Sequence, residues 1–192
     1  MEESPKKKEF SLLKTVGISI ILVVFFRTFL FTNYIVEGES MMPTLEDGNL
    51  LMVNKIEMKI GELERFDIVV FHKNEEEDFV KRVIGLPGDT LQYKADVLYI
   101  NGKKVAEPFL DEFKEELIGG QLTGDFTLEE ATGETKVPED HVFVIGDNRL
   151  DSWDSRHFGF IRIDQIVGKV NIKYWPVNRV QLLSVGATFI PQ

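Results

Sequence analysis

The chain has 192 residues, a formal charge of −10 and no cysteine. That length holds one substantial domain with additions, and 43% hydrophobic with 11% aromatic residues is the composition of a folded protein. The acidic balance argues against nucleic acid as a partner, because phosphate binding needs a basic face, and the lack of cysteine excludes disulfides, thiolate metal sites and a thiol nucleophile.

Much of the positive charge lies at the start, on Lys6, Lys7, Lys8 and Lys14. An apolar run, Val16 to Phe26, follows it and continues past Arg27 through Phe29, Leu30 and Phe31. Residues 14–33 make roughly 20 residues, or about 30 Å as a helix, the thickness of a hydrocarbon core. Arg27 near one end can snorkel to the headgroups, and Tyr34 and the phenylalanines suit an interface belt. A cleavable signal peptide needs small residues at its cleavage site, whereas Arg27-Thr28-Phe29-Leu30-Phe31 is bulky. A buried core helix is the plain alternative, since the strict apolar run is short. The favoured reading is a retained single-pass anchor in the cell membrane. Residues 1–13 form a basic cytoplasmic tail, and everything after about Asn33 lies on the outer side, as the positive-inside rule requires.

Beyond the anchor comes Gly38-Glu39-Ser40-Met41-Met42-Pro43-Thr44-Leu45, a serine close to the bilayer. The chain then reads as short strands and turns. Leu50–Val53, Asp67–Phe71 and Phe79–Ile84 are apolar runs, the last closed by the turn signal Gly85-Leu86-Pro87-Gly88-Asp89. Val97–Ile100, Asn101-Gly102 and Lys103–Val105 have the form of a two-residue hairpin. From about Ala106 to Asp140 the chain turns acidic and Gly/Thr-rich, as a surface insertion would. Val142–Ile145, ending at Gly146-Asp147-Asn148, and Val167–Trp175 resume the strand pattern. The expected organisation is a main β domain over 34–105 and 140–180, a small inserted subdomain over 106–139 and a tail over 181–192. The fold class is mainly β, many-stranded, barrel-like or sandwiched.

A serine hydroxyl needs a neighbouring base to act as a nucleophile. His72, His141 and His157 are available, and Ser152, Asp154 and His157 lie close together in sequence, but nothing in their spacing demands a triad. Lysine can also serve as base if it is neutral. With a solution pKa near 10.4, about one lysine in a thousand is neutral near pH 7.4, so the base lysine must be buried among apolar groups. Lys81 meets that condition, between Phe79-Val80 and Val83-Ile84. Periodicity alone leaves it equally an edge-strand lysine that guards against aggregation. The carboxylates of 146–156 do not have the spacing of an EF-hand.

Three segments in this order behind one anchor resemble the bacterial type I signal peptidases, in their Gram-positive form: the run around Ser40, then Lys81-Arg82-Val83-Ile84-Gly85-Leu86-Pro87-Gly88-Asp89, then Gly146-Asp147-Asn148-Arg149 through Ser152 to Asp154-Ser155-Arg156. The resemblance implies a serine endopeptidase that removes signal peptides from exported preproteins after small residues at −1 and −3. It implies Ser40 as nucleophile, Lys81 as general base and Ser152 as the hydroxyl that orients Lys81. It places Tyr34, Val36, Met41 and Leu45, with Phe79 and Val80, at the substrate pockets. It also implies supporting pairs Arg82–Asp147 and Asp154–Arg156, a mostly β catalytic domain with a small insertion, and no metal or cofactor. Many relatives have a serine where this chain has Gly38, so a second oxyanion donor is left to a backbone N–H or a water. Two alternatives stand beside it: within the same Ser-Lys chemistry, a LexA-like self-cleaving repressor, which would carry a DNA-binding domain in place of the anchor; and, from a different class, a catalytically silent anchored binding protein.

Overall fold

A computed structural model describes residues 14–24, 31–55, 63–183 and 188–189. Among the described residues, thirteen strands form two antiparallel sheets. In chain order they are β1 (Phe31–Ile35), β2 (Leu50–Asn54), β3 (Ile68–His72), β4 (Asp78–Gly85), β5 (Leu91–Lys94), β6 (Val97–Ile100), β7 (Lys103–Ala106), β8 (Phe126–Thr127), β9 (His141–Ile145), β10 (Ile161–Arg162), β11 (Ile166–Trp175), β12 (Gln181–Leu182) and β13 (Thr188–Phe189). The larger sheet runs β1-β2-β11-β3-β4-β9-β10, with β12 on β11, and the smaller runs β13-β7-β6-β5-β8. The mainly β expectation is met.

Every strand read from an apolar run is present. Alternation is clearest in β2, where Leu51 and Val53 point inward between half-buried neighbours. In β4 burial becomes continuous toward its C-terminal end, because both faces of the large sheet are covered there: Ile84 packs toward the small sheet and Val83 toward the opposite face. The β6–β7 hairpin turns at Asn101 and Gly102, both with positive φ (51° and 74°), the conformation that a two-residue turn with right-handed strand twist requires.

The change of sheet falls earlier than the change of composition. The small sheet already begins at Leu91, within the span assigned to the main β domain, and recruits Thr188–Phe189 from the tail. Its core joins Tyr93, Leu98, Ile100 and Val105 to Ile84, Phe143 and Ile145 of the large sheet.

Residues 14–24 are helical. Among the described residues no helix is long and apolar enough to cross a membrane. The far limit expected for the anchor also moves, because Phe31–Asn33 belong to β1 and pair with Met52–Asn54; their alternating exposure is that of an edge strand, not of a continuous span.

Candidate active site

An open cleft of about 340 Å³ lies on one face of the large sheet. Leu51 of β2 and Val70 of β3 border it, together with the segment Tyr34–Ser40 and the start of β4, Asp78–Lys81. Ser40 sits in a tight turn that the surrounding chain holds from several sides. Gly38 adopts φ 89°, which a side-chain-bearing residue rarely accepts. Its N–H donates to Asp47 Oδ1 at 2.8 Å. Ser40's carbonyl accepts from Asn148 N at 3.0 Å, and Asn148 Nδ2 donates to Glu39 O at 3.2 Å. The residues after Ser40 form a helical turn closed by Leu45 N–H to Met41 O at 2.9 Å.

That turn decides where Met41 and Leu45 go. Both are 0% exposed, inside the core cluster with Val53, Ile68 and Val70. Neither Met41 nor Leu45, which the sequence reading put at the substrate pockets, is among the residues bordering the cleft; both lie in the core beneath the nucleophile's turn. Tyr34, Val36, Phe79 and Val80 do border the cleft. Tyr34 is tied across it, its hydroxyl donating to Asp78 Oδ2 at 2.7 Å. Burial and the adjacent Asp78 raise the Tyr34 pKa well above that of a free phenol.

Lys81 projects from β4, whose neighbour across the ladder is Val69. Its Nζ lies 2.7 Å from Ser40 Oγ and donates to Val80 O at 3.0 Å. The residue is 4% exposed, and no carboxylate among the described residues forms an ion pair with it. Burial lowers its pKa from 10.5 to about 8; the more distant charges of Asp154 and Asp147 oppose the shift without cancelling it.

The neighbouring cation is handled in the opposite way. Arg82 clasps Asp147 with Nε at 2.8 Å and Nη2 at 2.6 Å, and Nη1 donates to Phe66 O at 2.9 Å. Its guanidinium lies over the Phe109 ring at 3.9 Å. Asp147 also accepts from Thr44 Oγ1, which joins this pair to the turn that carries Ser40. The second supporting pair also forms: Arg156 grips Asp154 through Nε and Nη2, each at 2.8 Å. Burial would raise the Asp154 pKa, but Arg156 and the Gly146 N–H hold it below the usual carboxylate value.

Ser152 is buried beside this pair, and its Oγ completes no hydrogen bond with the described residues. The bond to Lys81 that the resemblance implies is therefore not made in this structure, because Lys81 Nζ turns to Ser40 and Val80. Gly146 explains why Ser152 can come so near the nucleophile. A Cβ there would overlap both Ser152 Oγ and the Ser40 carbonyl oxygen.

The three histidines do not border the cleft. His72 pairs with Asp78, His141 bonds Glu139 O, and His157 stacks on Trp153. The Ser152-Asp154-His157 grouping fails because Asp154 is committed to Arg156. No cluster of three or more metal-ligating side chains occurs among the described residues.

Sequence reasoning gave Arg149 no role. It is fully buried, where it bonds Glu107 at 2.5 Å, Tyr93 Oη at 2.9 Å and Thr123 Oγ1 at 3.1 Å. Its carbonyl accepts from Arg156 Nη1 at 2.8 Å. This seam binds the small sheet to the loop that carries Ser152 and Asp154. A hint was available, since an arginine between buried motif residues needs a buried acid.

A hydroxyl next to an amine that burial can strip of its proton is the arrangement of a nucleophilic hydrolase. Comparison with known proteins agrees. The family described as signal peptidase, peptidase S26, matches residues 9–175. Signal peptidase I of Bacillus caldolyticus is 64% identical over 84% of this chain and 89% of its own length. Signal peptidase I V of Bacillus subtilis is 49% identical over 86% of this chain and 98% of its own. Signal peptidase IB of Staphylococcus aureus is 42% identical over 90% and 93%. The crystal structure of a signal peptidase I from Enterococcus faecalis superposes with a TM-score of 0.54 at 44% identity, covering 56% of this chain and 96% of that one. The chain belongs to the signal peptidase family, peptidase S26, and is a serine endopeptidase.

Proposed function

We propose that this protein removes signal peptides from exported preproteins through a Ser40–Lys81 dyad. The observation that carries the reading is the 2.7 Å contact between Lys81 Nζ and Ser40 Oγ at an amine whose pKa burial has lowered to about 8. Neutral Lys81 takes the Ser40 proton as Oγ attacks the scissile carbonyl, then returns it to the leaving amine. Water hydrolyses the acyl-enzyme with Lys81 again as base. The Ser40 N–H, for which the described residues offer no partner, is one donor to the oxyanion; the Gly38 N–H is committed to Asp47. Ser152, buried with an uncommitted hydroxyl, orients the Lys81 amine once Ser40 Oγ is acylated. Val36, Phe79 and Val80 leave room in the cleft for small side chains, in keeping with substrate residues such as alanine at −1 and −3.

The helix over 14–24 presents Val16, Ile18, Ile20, Ile21 and Val23 outward, each at least 47% exposed. Such a surface is suited to lipid and supports a membrane anchor, and Lys6, Lys7, Lys8 and Lys14 ahead of it support an extracytoplasmic catalytic domain by the positive-inside rule. An inactive binding protein would not need a buried amine set against a serine.

The test is cleavage of a preprotein by the full chain in detergent or vesicles. Ser40→Ala and Lys81→Ala each lose at least about a thousandfold in kcat/KM. Retained cleavage in either variant overturns the dyad.

A further inference from the structure

Trp153 stands out from its surroundings. Its chain neighbours Ser152 and Asp154 are buried, yet its indole is 58% exposed. Of the 146–156 segment it is the residue that borders the cleft with Ser40 and Lys81. The ring is braced: it stacks on His157 with centroids 4.6 Å apart and planes 17° from parallel. His157 belongs in turn to the short helix Ser155–Phe158, capped by Asp154. Trp153 and Ser40 line the same cleft, which places the indole on the nucleophile's side of the loop. A large apolar ring left open beside a nucleophile and braced from behind is suited to binding.

We propose that Trp153 is a specificity-determining residue that packs on the substrate side chain at −2 and favours a large apolar group there. The inference rests on the reading that Ser40 cleaves after small residues at −1 and −3. In an extended peptide successive side chains point to opposite faces. With −1 and −3 against Val36, Phe79 and Val80, the −2 side chain turns the other way, and we assign the exposed, braced ring of Trp153 in the same cleft to meet it. Glu37 and Glu39 also border the cleft, so an acidic −2 residue meets like charge.

The experiment uses preproteins that differ only at −2, with Leu, Phe, Gly or Asp. The parent chain cleaves the Leu and Phe substrates with kcat/KM about tenfold above Gly, and Asp worst. Trp153→Ala compresses the Leu-to-Gly ratio to within about twofold, chiefly through KM, while Trp153→Phe keeps most of it. A Trp153→Ala chain that keeps the parent ratio, or loses the same factor on all four substrates, overturns the proposal. Cleavage by Ser40→Ala is the separate result that would sink the dyad; loss of activity in Ser40→Ala with unchanged −2 selectivity in Trp153→Ala sinks only the role of Trp153.

Discussion

The cleft and the seam bury cations to a similar degree and treat them differently. In the seam, Arg149 lies against Glu107, Tyr93 and Thr123, and Glu107 pairs its charge. The neighbouring Arg82–Asp147 pair, 1% and 0% exposed, follows the same rule. In the cleft, Lys81 is 4% exposed, and among the described residues it bonds a hydroxyl and a carbonyl and meets no carboxylate partner. Pairing keeps a buried cation charged and structural, whereas burial without a carboxylate partner drives it toward neutrality, the state in which an amine can take a proton. Lys81 and Arg82 are consecutive residues, so the difference lies not in the strand but in what each side chain meets.

The largest effect should come from breaking a compensated pair. Glu107→Ala leaves the Arg149 guanidinium buried and unpaired, and is expected to cost about 3–5 kcal/mol of stability by denaturant unfolding. Loss of under about 1 kcal/mol would mean that the seam is solvated and that the contrast with the cleft is false. The opposite sign is expected at Lys81. Its folded pKa lies below the unfolded value, so the fold penalises charged lysine at every pH below about 8. The penalty fades as pH rises from about 8 to 10.5. The gap corresponds to roughly 3 kcal/mol. Lys81→Met should therefore stabilise the protein by about 1–3 kcal/mol at pH 7, with the gain vanishing above pH 10, while cleavage is lost. A destabilised Lys81→Met chain at pH 7 would remove the distinction.

Local chemistry accounts for what could be read in the sequence. The β6–β7 hairpin was visible because Asn101-Gly102 is a turn that few other pairs make. Lys81 was visible because its apolar neighbours lie beside it in β4. Leu91–Lys94 was missed as a strand because its turn, Ala95-Asp96, has no glycine. That turn is held at positive φ by distant groups, with Asp125 accepting from the Ala95 N–H and Asp96 accepting from Leu122 and Thr123 N–H groups. The short helix Leu128–Thr132 was also missed, although its capping box, Thr127 with Glu130, is a sequence signal. The roles of Met41, Leu45 and Glu107 depend on partners brought from elsewhere in the fold. The turn after Ser40 drives Met41 and Leu45 inward, and Arg149 meets Glu107 across 42 positions of chain.

Smaller changes sharpen the comparison. Tyr93→Phe removes a hydroxyl that donates to Glu107 at 2.6 Å and accepts from Arg149, leaving that charge pair intact. It should cost about 1–2 kcal/mol by thermal or denaturant unfolding, less than Glu107→Ala. An equal cost would show that the network fails as a unit and cannot be divided into pairs. Ser152→Ala removes no hydrogen bond made in this structure. A fall in kcat of about tenfold to a hundredfold with stability nearly unchanged would place Ser152 on the cleft side of the divide. A loss of stability with unchanged kcat would place it on the structural side.

The most direct measurement is the titration of Lys81 itself, by NMR of the side-chain amine in the full chain in detergent, with Lys81→Met to assign the signal. A midpoint near pH 8, matched by a kcat/KM that rises with unit slope to that pH and then levels, is the expected result. A midpoint above pH 10 would leave Ser40 without a base at neutral pH and contradict the account.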